Sequence, residues 1–219
     1  MNLLEIISNK KLPFILAMDG PAASGKGHIG YLLAKEFDME LFHSGLVYRS
    51  IAYICTKNGI LPEGVKKILD GLSEAEISDI IKRRDLNIEE IGSFASKISS
   101  IYEVREFVNK YLKTIIKNAH RIIMEGRDIG TVIAPNAQLK IFITAAVEVR
   151  AERRYKQLLS EGKKCILGDV LDQLIARDNR DSSRKIAPNI PASDAVIVDT
   201  THLTPQEVIK KINTIMLEK

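Results

Sequence analysis

The stretch Asp19-Gly20-Pro21-Ala22-Ala23-Ser24-Gly25-Lys26-Gly27-His28 decides the fold. Gly20 and Gly25-Lys26 satisfy G-x-x-x-x-G-K, the spacing of a phosphate-binding loop. Such a loop wraps an anion in successive backbone N–H groups and needs small side chains so that the backbone can approach closely. The helix that follows adds positive potential at its N-terminus. A bare match also describes an ordinary glycine-rich turn, and context separates the two. Phe14-Ile15-Leu16-Ala17-Met18 is the near-continuous apolar run of a strand buried on both faces, and Ile29 to Phe37 carries a helical pattern. The segment therefore reads as strand, phosphate loop and helix. Gly20, Pro21, Ala22, Ala23, Ser24, Gly25, Lys26, Gly27 and His28 are expected on the phosphates of a nucleotide, with Lys26 reaching the β- and γ-phosphates.

Outward from this loop, short apolar runs alternate with helical patterns. Runs like the first occur at Glu40-Leu41-Phe42, Ile122-Ile123-Met124, Leu139-Lys140-Ile141-Phe142-Ile143 and Ala195-Val196-Ile197-Val198. Thr204-Pro205-Gln206-Glu207 is a capping box with proline at the first helical position, and Val208, Ile209, Ile212, Ile215 and Met216 then share one face. Ser73-Glu74-Ala75-Glu76 opens a second, shorter helix in the same way. This alternation predicts an α/β fold with a mainly parallel sheet. Residues 60–110 are more polar, hold short elements and lack a strong core strand. No Pro/Gly/Ser-rich linker flanks them, so they read as an insertion in a single domain spanning 1–219.

Composition narrows the class. At 219 residues the chain can bury roughly 70% of its unfolded surface, so it needs no disulfide or structural metal to fold. Hydrophobic residues make up 45% and charged residues 27%, which is globular and not disordered composition. A net charge of +4 is too mild for a nucleic-acid-coating protein, and aromatics at 5% form no stacking platform. Cys55 and Cys165 have no C-x-x-C spacing; Cys55 reads as a small core residue. His28, His43, His120 and His202 show no zinc-protease pairing. No apolar run approaches the ~18 residues of a membrane helix, and no signal-peptide pattern opens the chain, so a cytoplasmic location is expected.

Arginines follow the strands. Ser44-Gly45-Leu46-Val47-Tyr48-Arg49 comes after the second run, and Glu125-Gly126-Arg127-Asp128-Ile129-Gly130 after the third, at the carboxyl edge where open α/β sheets bind ligands. Arg150, Arg153 and Arg154 share a helix, and Arg177-Asp178-Asn179-Arg180-Asp181-Ser182-Ser183-Arg184 lies on the next. Taken singly, Ser44 would be a cap, Arg49 a solvated surface residue, and the last run a salt-bridged face. Beside a phosphate loop the balance changes. Phosphoryl transfer consists of positioning plus neutralisation, and arginine grips phosphate bidentately.

The ordered set Gly20–His28, Ser44-Gly45 with Tyr48-Arg49, Ala95-Ser96 with Val104-Arg105, Gly126-Arg127-Asp128-x-Gly130, and Arg177 to Arg184 with Ala187-Pro188 resembles the bacterial cytidylate kinases, over residues of about 13 to 212. The resemblance implies a five-stranded parallel sheet flanked by helices, a small acceptor-binding insert at about 60–110 and a lid at about 150–168. It implies transfer of phosphate from ATP with Mg2+ to CMP or dCMP by a monomer, with neither nucleic acid nor membrane as partner. By matching position, Ser96, Arg105, Asp128 and Arg184 would read cytosine, and Arg177 and Asp181 would contact the sugar. Ser44, Tyr48, Arg49 and Arg127 would fix the acceptor and its phosphate. Lys26, Arg127, Arg154 and Arg180 would neutralise charge on the migrating group, and Arg150, Arg153 and Arg154 would close on ATP. No metal ligand can be named.

The chain departs from that pattern in two places. His28 stands where the resembling kinases have threonine in Gly-Lys-Gly-Thr, either as a functional substitute or as a weakening of the loop. The stretch from Tyr48 to Ser96 is also shorter than in many of them. Other readings are a kinase for UMP or AMP, an impaired nucleotide-binding protein, and a nucleotide switch. The last lacks the Asn-Lys-x-Asp motif of GTPases.

Overall fold

The computed structural model describes residues 2–218, without the side chains of Arg84 and Asn87. In chain order the elements begin with α1 (Leu3–Ser8), β1 (Phe14–Asp19), α2 (Lys26–Phe37), β2 (Glu40–His43) and α3 (Gly45–Lys57). Then come α4 (Lys66–Leu69), α5 (Glu74–Ile81), α6 (Glu89–Ile98) and α7 (Tyr102–Asn118). The chain closes with β3 (Arg121–Glu125), β4 (Leu139–Thr144), α8 (Val147–Ser160), α9 (Leu167–Ser183), β5 (Val196–Asp199) and α10 (Pro205–Glu218). His43–Asn118 forms one compact unit and the remainder of the chain another.

The larger unit is built on the sheet. Among the described residues it has five strands in the order β2-β3-β1-β4-β5, and they run parallel as the apolar runs predict. β1 lies at the centre with Met18 opposite Glu125 of β3 and Asp19 opposite Phe142 of β4. Helices flank the sheet, so Phe14, Leu16, Ala17 and Met18 are buried without alternation. Phe14, Leu16 and Met18 join Ile29 and Leu33 of α2, Ile141 and Ile143 of β4, and Val208, Ile212 and Met216 of α10 in one core. A second, smaller core of Ala22, Ala151, Leu158, Val170 and Leu174 ties α8 and α9 to the phosphate loop.

Caps set the helix starts. Thr204 Oγ1 accepts from the Glu207 N–H (3.3 Å) while the Glu207 carboxylate accepts from the Thr204 N–H (2.8 Å), both halves of the box. α1 uses the same device: Asn2 accepts from the Glu5 N–H and Glu5 from the Asn2 N–H. Arg121, buried at the start of β3, donates to the backbone carbonyls of Asn9, Leu12, Ile7 and Phe37, and so fastens the ends of α1 and α2 to the sheet.

The smaller unit is helical among its described residues, α3 packing on α5 and α6 and α4 on α7. Ser73 accepts from the Glu76 N–H (3.1 Å) and starts α5 at the expected place. The unit begins and ends outside the polar stretch 60–110, because α3 and α7 carry ordinary apolar faces with Val47, Ile51, Val108 and Leu112 buried.

Candidate active site

The loops after β1 and β3 leave the carboxyl ends of two paired strands, so the phosphate loop and the Gly126–Gly130 segment are neighbours. The Gly126 N–H donates to the Met18 carbonyl (2.9 Å) and continues the pairing past the strand end. Gly20 turns with φ +142°, and a Cβ there would stand 1.9 Å from the Ile143 carbonyl oxygen, so only glycine passes over β4. Ala23 (φ 57°) and Gly25 (φ 90°) are left-handed, the backbone alternation that turns successive N–H groups towards a common anion. α2 begins at Lys26, and Ile29 is the first residue to bond back, to the Gly25 carbonyl (3.0 Å). The N–H groups of Lys26, Gly27 and His28 thus lie in the helix's unpaired first turn. The His28 side chain is exposed.

Lys26 is buried and donates to the Pro21 carbonyl (2.8 Å), with Glu125 at 3.8 Å. Burial pushes its amine down to about 7, the charge of Arg127 pushes the same way, Glu125 and Asp19 oppose, and Arg177 adds to the push. Asp19, at the end of β1, accepts from the N–H groups of Ile129 (2.8 Å) and Gly130 (2.7 Å). Burial raises its carboxyl to about 6 against those two hydrogen bonds, and Asp128 raises it further while Lys26 lowers it.

Asp181 is the second focus. Its carboxylate, 4% exposed, takes Arg127 Nε at 3.2 Å, Arg177 Nε at 3.9 Å and Arg184 Nη1 at 3.9 Å. Arg127 also donates to the Gly126 carbonyl, and Arg184 to the Ala187 carbonyl (2.7 Å). Asp128 is buried at the turn before Ile129. Arg150 and Arg153 are held to backbone: Arg150 by the Ala145 and Ala22 carbonyls and Asp178, Arg153 by Thr200 Oγ1 and the Thr200 carbonyl. Arg150 thus bonds the phosphate loop at Ala22, and Arg153 reaches it through Thr200, whose hydroxyl donates to the Ser24 carbonyl (3.4 Å). Arg154 bonds Gln157 on its own helix (3.1 Å), and Arg180 is half-buried on α9.

In the smaller unit Ser44 precedes α3 with helical backbone angles, so its buried hydroxyl makes no cap bond. Arg49 donates to the Leu86 carbonyl (2.8 Å) and lies against Gly92, where a Cβ would meet Nη2 at 2.9 Å. Arg105, 2% exposed, donates to the Ser99 carbonyl (3.0 Å), and its guanidinium lies 6.0 Å from the Tyr48 ring centroid. Ser96 is buried on α6. Ser44, Tyr48, Arg49, Ser96 and Arg105 thus belong to one unit, and the remaining expected site residues to the other.

A sequence model described as cytidylate kinase matches residues 16–218. The chain belongs to the cytidylate kinase family. It is 50% identical over 206 residues to the cytidylate kinase of Rickettsia bellii (strain OSU 85-389), covering 94% of both chains. The cytidylate kinase of Rickettsia akari (strain Hartford) is 51% identical over 206 residues, covering 94% of this chain and 93% of that one. Solved structures share the fold at low identity. A gluconokinase from Sinorhizobium meliloti 1021 has TM-score 0.50 and 13% identity over 94% of this chain and 93% of its own. A shikimate kinase from Bacteroides thetaiotaomicron has TM-score 0.50 and 10% identity over 94% of this chain and 99% of its own. These agree with the five-stranded parallel sheet of a phosphate-loop kinase.

Sequence reading left four residues of the site without a role. Asp19 and Glu125 entered only as flanks of motifs. Asp178 sat inside a charged run, and Thr200 followed the last strand unnoticed. A polar residue at the carboxyl end of β1 and of β3, and one directly after β5, was the available signal.

Proposed function

We infer that the chain transfers the γ-phosphoryl group of ATP to CMP or dCMP, giving ADP and CDP or dCDP, as a cytoplasmic monomer in pyrimidine nucleotide metabolism. The observation that carries this reading is the cationic cluster at the loop. The charges of Arg127 and Arg177 both disfavour the buried Lys26 ammonium at a loop built to wrap an anion, a costly arrangement that a phosphate chain relieves. Family membership selects the acceptor.

Mg2+ bound with ATP would supply positive charge that offsets the charge developing on the phosphates. The residues Gly20 to His28 hold the phosphates and Lys26 reaches the γ-phosphoryl group. Ser44, Tyr48, Arg49 and Arg127 fix the acceptor's phosphate, Arg177 and Asp181 its sugar, and Ser96, Arg105, Asp128 and Arg184 its base. One oxygen of that phosphate attacks the γ-phosphorus in line, the bond to the β–γ bridging oxygen breaks, and ADP leaves with the electron pair. Lys26, Arg127, Arg154 and Arg180 neutralise the migrating charge. A phosphate oxygen is already a competent nucleophile, so no general base is needed. Closure of a lid at about 150–168 excludes water and suppresses ATP hydrolysis.

An ADP-release assay run in parallel with CMP, dCMP, UMP and AMP tests this. The reading requires turnover with CMP and dCMP and little with UMP or AMP. Equal turnover with UMP would remove the cytosine assignment, and no turnover with any acceptor would remove the kinase.

A further inference from the structure

Asp19 is joined by the chain to Gly20, the first residue of the phosphate loop, and by hydrogen bonds to the segment after β3. Each carboxylate oxygen takes one N–H of two successive residues, Ile129 at 2.8 Å and Gly130 at 2.7 Å. The turn that follows is wide, the Ala134 N–H donating to the Ile129 carbonyl (2.7 Å) and the Ile133 N–H to the Asp128 carbonyl (3.2 Å). The Val132 N–H also donates to the Asp128 carbonyl (2.9 Å); the first N–H groups of such a turn have no partner within it, and Asp19 supplies one to Ile129 and Gly130. Gly130 leaves room for this: a Cβ there would stand 3.4 Å from Asp19 Oδ2 and 3.2 Å from Lys140 Cδ. Directly before the clamped pair lie Arg127, bonded to Asp181, and Asp128, which is buried.

We propose that Asp19 is a positioning residue that fixes Arg127 and Asp128 against the phosphate loop, and so sets how well the acceptor nucleotide is held. The proposal rests on the kinase reading above, with Arg127 on the acceptor phosphate and Asp128 on the base. The charge state of Asp19 enters because a protonated carboxyl can offer only one oxygen as a pure acceptor to two N–H groups. The charged groups around it are Asp128 from the turn and Lys26 from α2, with Lys140 of β4 against Gly130. With its carboxyl near 6, the clamp is complete above that pH and loosens below it.

The test is Asp19→Asn, an isosteric change that places an NH2 group against a backbone N–H. Losing one charge-assisted bond predicts a rise in KM for CMP of roughly tenfold or more, with KM for ATP changed by less than about threefold. The phosphate of CMP also titrates at about 6, so the pH readout is the ratio of variant to wild-type KM for CMP, which must shrink as pH falls through about 6. A residue that merely supports the fold would lower the melting temperature and the active fraction and leave KM for CMP and its pH profile unmoved; that result overturns the proposal, as does equal damage to ATP and CMP. Should Asp19→Asn fail to fold, Asp19→Glu, which keeps the carboxylate but displaces it from the two N–H groups, must raise KM for CMP selectively. Wild-type turnover of CMP in the same experiment separates failure of this proposal from failure of the functional reading.

Discussion

Lys26 is held where its charge is expensive, and that has measurable consequences. Its folded value of about 7 lies below the 10.5 of an unfolded lysine. Between those values the unfolded chain binds more protons than the folded one, so this group's contribution to stability increases as pH rises from 7 towards 10.5. ATP phosphates favour the ammonium, so binding at pH 8 should take up close to one proton, fading below about pH 6. Calorimetry in buffers of different ionisation enthalpy reads this directly; no uptake at pH 8 would contradict it. Lys26→Met should lower kcat by roughly 10²–10³ with the circular-dichroism spectrum intact. His28→Thr, by contrast, should change kcat by less than about threefold, because the backbone N–H groups of the helix's first turn do not depend on the side chain at this position.

At the scale of elements, α3 and α6 meet where Gly92 lies under the Arg49 guanidinium. Gly92→Ala would force Arg49 aside, since a Cβ would stand 2.9 Å from Nη2, yet the displaced atoms are the far end of a flexible side chain. KM for CMP should rise severalfold while the melting temperature barely moves. Thr204→Ala at the start of α10 should do the reverse, costing about 1 kcal/mol of stability without touching either KM. These elements also show what was legible in the chain. Buried parallel strands announce themselves as unbroken apolar runs, and Ser73, Thr204 and Pro205 announce helix starts by local chemistry. α1 carries the same signal in Asn2 and Glu5, but six residues are too short for a periodic pattern. Arg177 and Arg184 reach Asp181 by i,i+4 and i,i+3 spacing, which the chain shows; Arg127 joins them from the segment after β3, and only the fold brings it there. The second anchor of Asp19, more than a hundred positions along the chain, was hidden for the same reason.

On the whole-molecule scale a formal charge of +4 conceals the point, because the cations that matter are the few gathered at the phosphate loop. No helix among the described residues is long and apolar enough to cross a membrane. Selectivity among acceptors is the property that draws on the whole chain, since a kinase reading only phosphate and sugar would accept uridine and cytidine nucleotides alike. The most direct measurement is a one-pot competition: ATP labelled in its γ-phosphate, equal CMP and UMP, and separation of the labelled diphosphates at low conversion. The account predicts label in CDP at more than about tenfold over UDP, the discrimination that a few base-edge hydrogen bonds supply. Equal label in the two products, or label released only as inorganic phosphate, would contradict it.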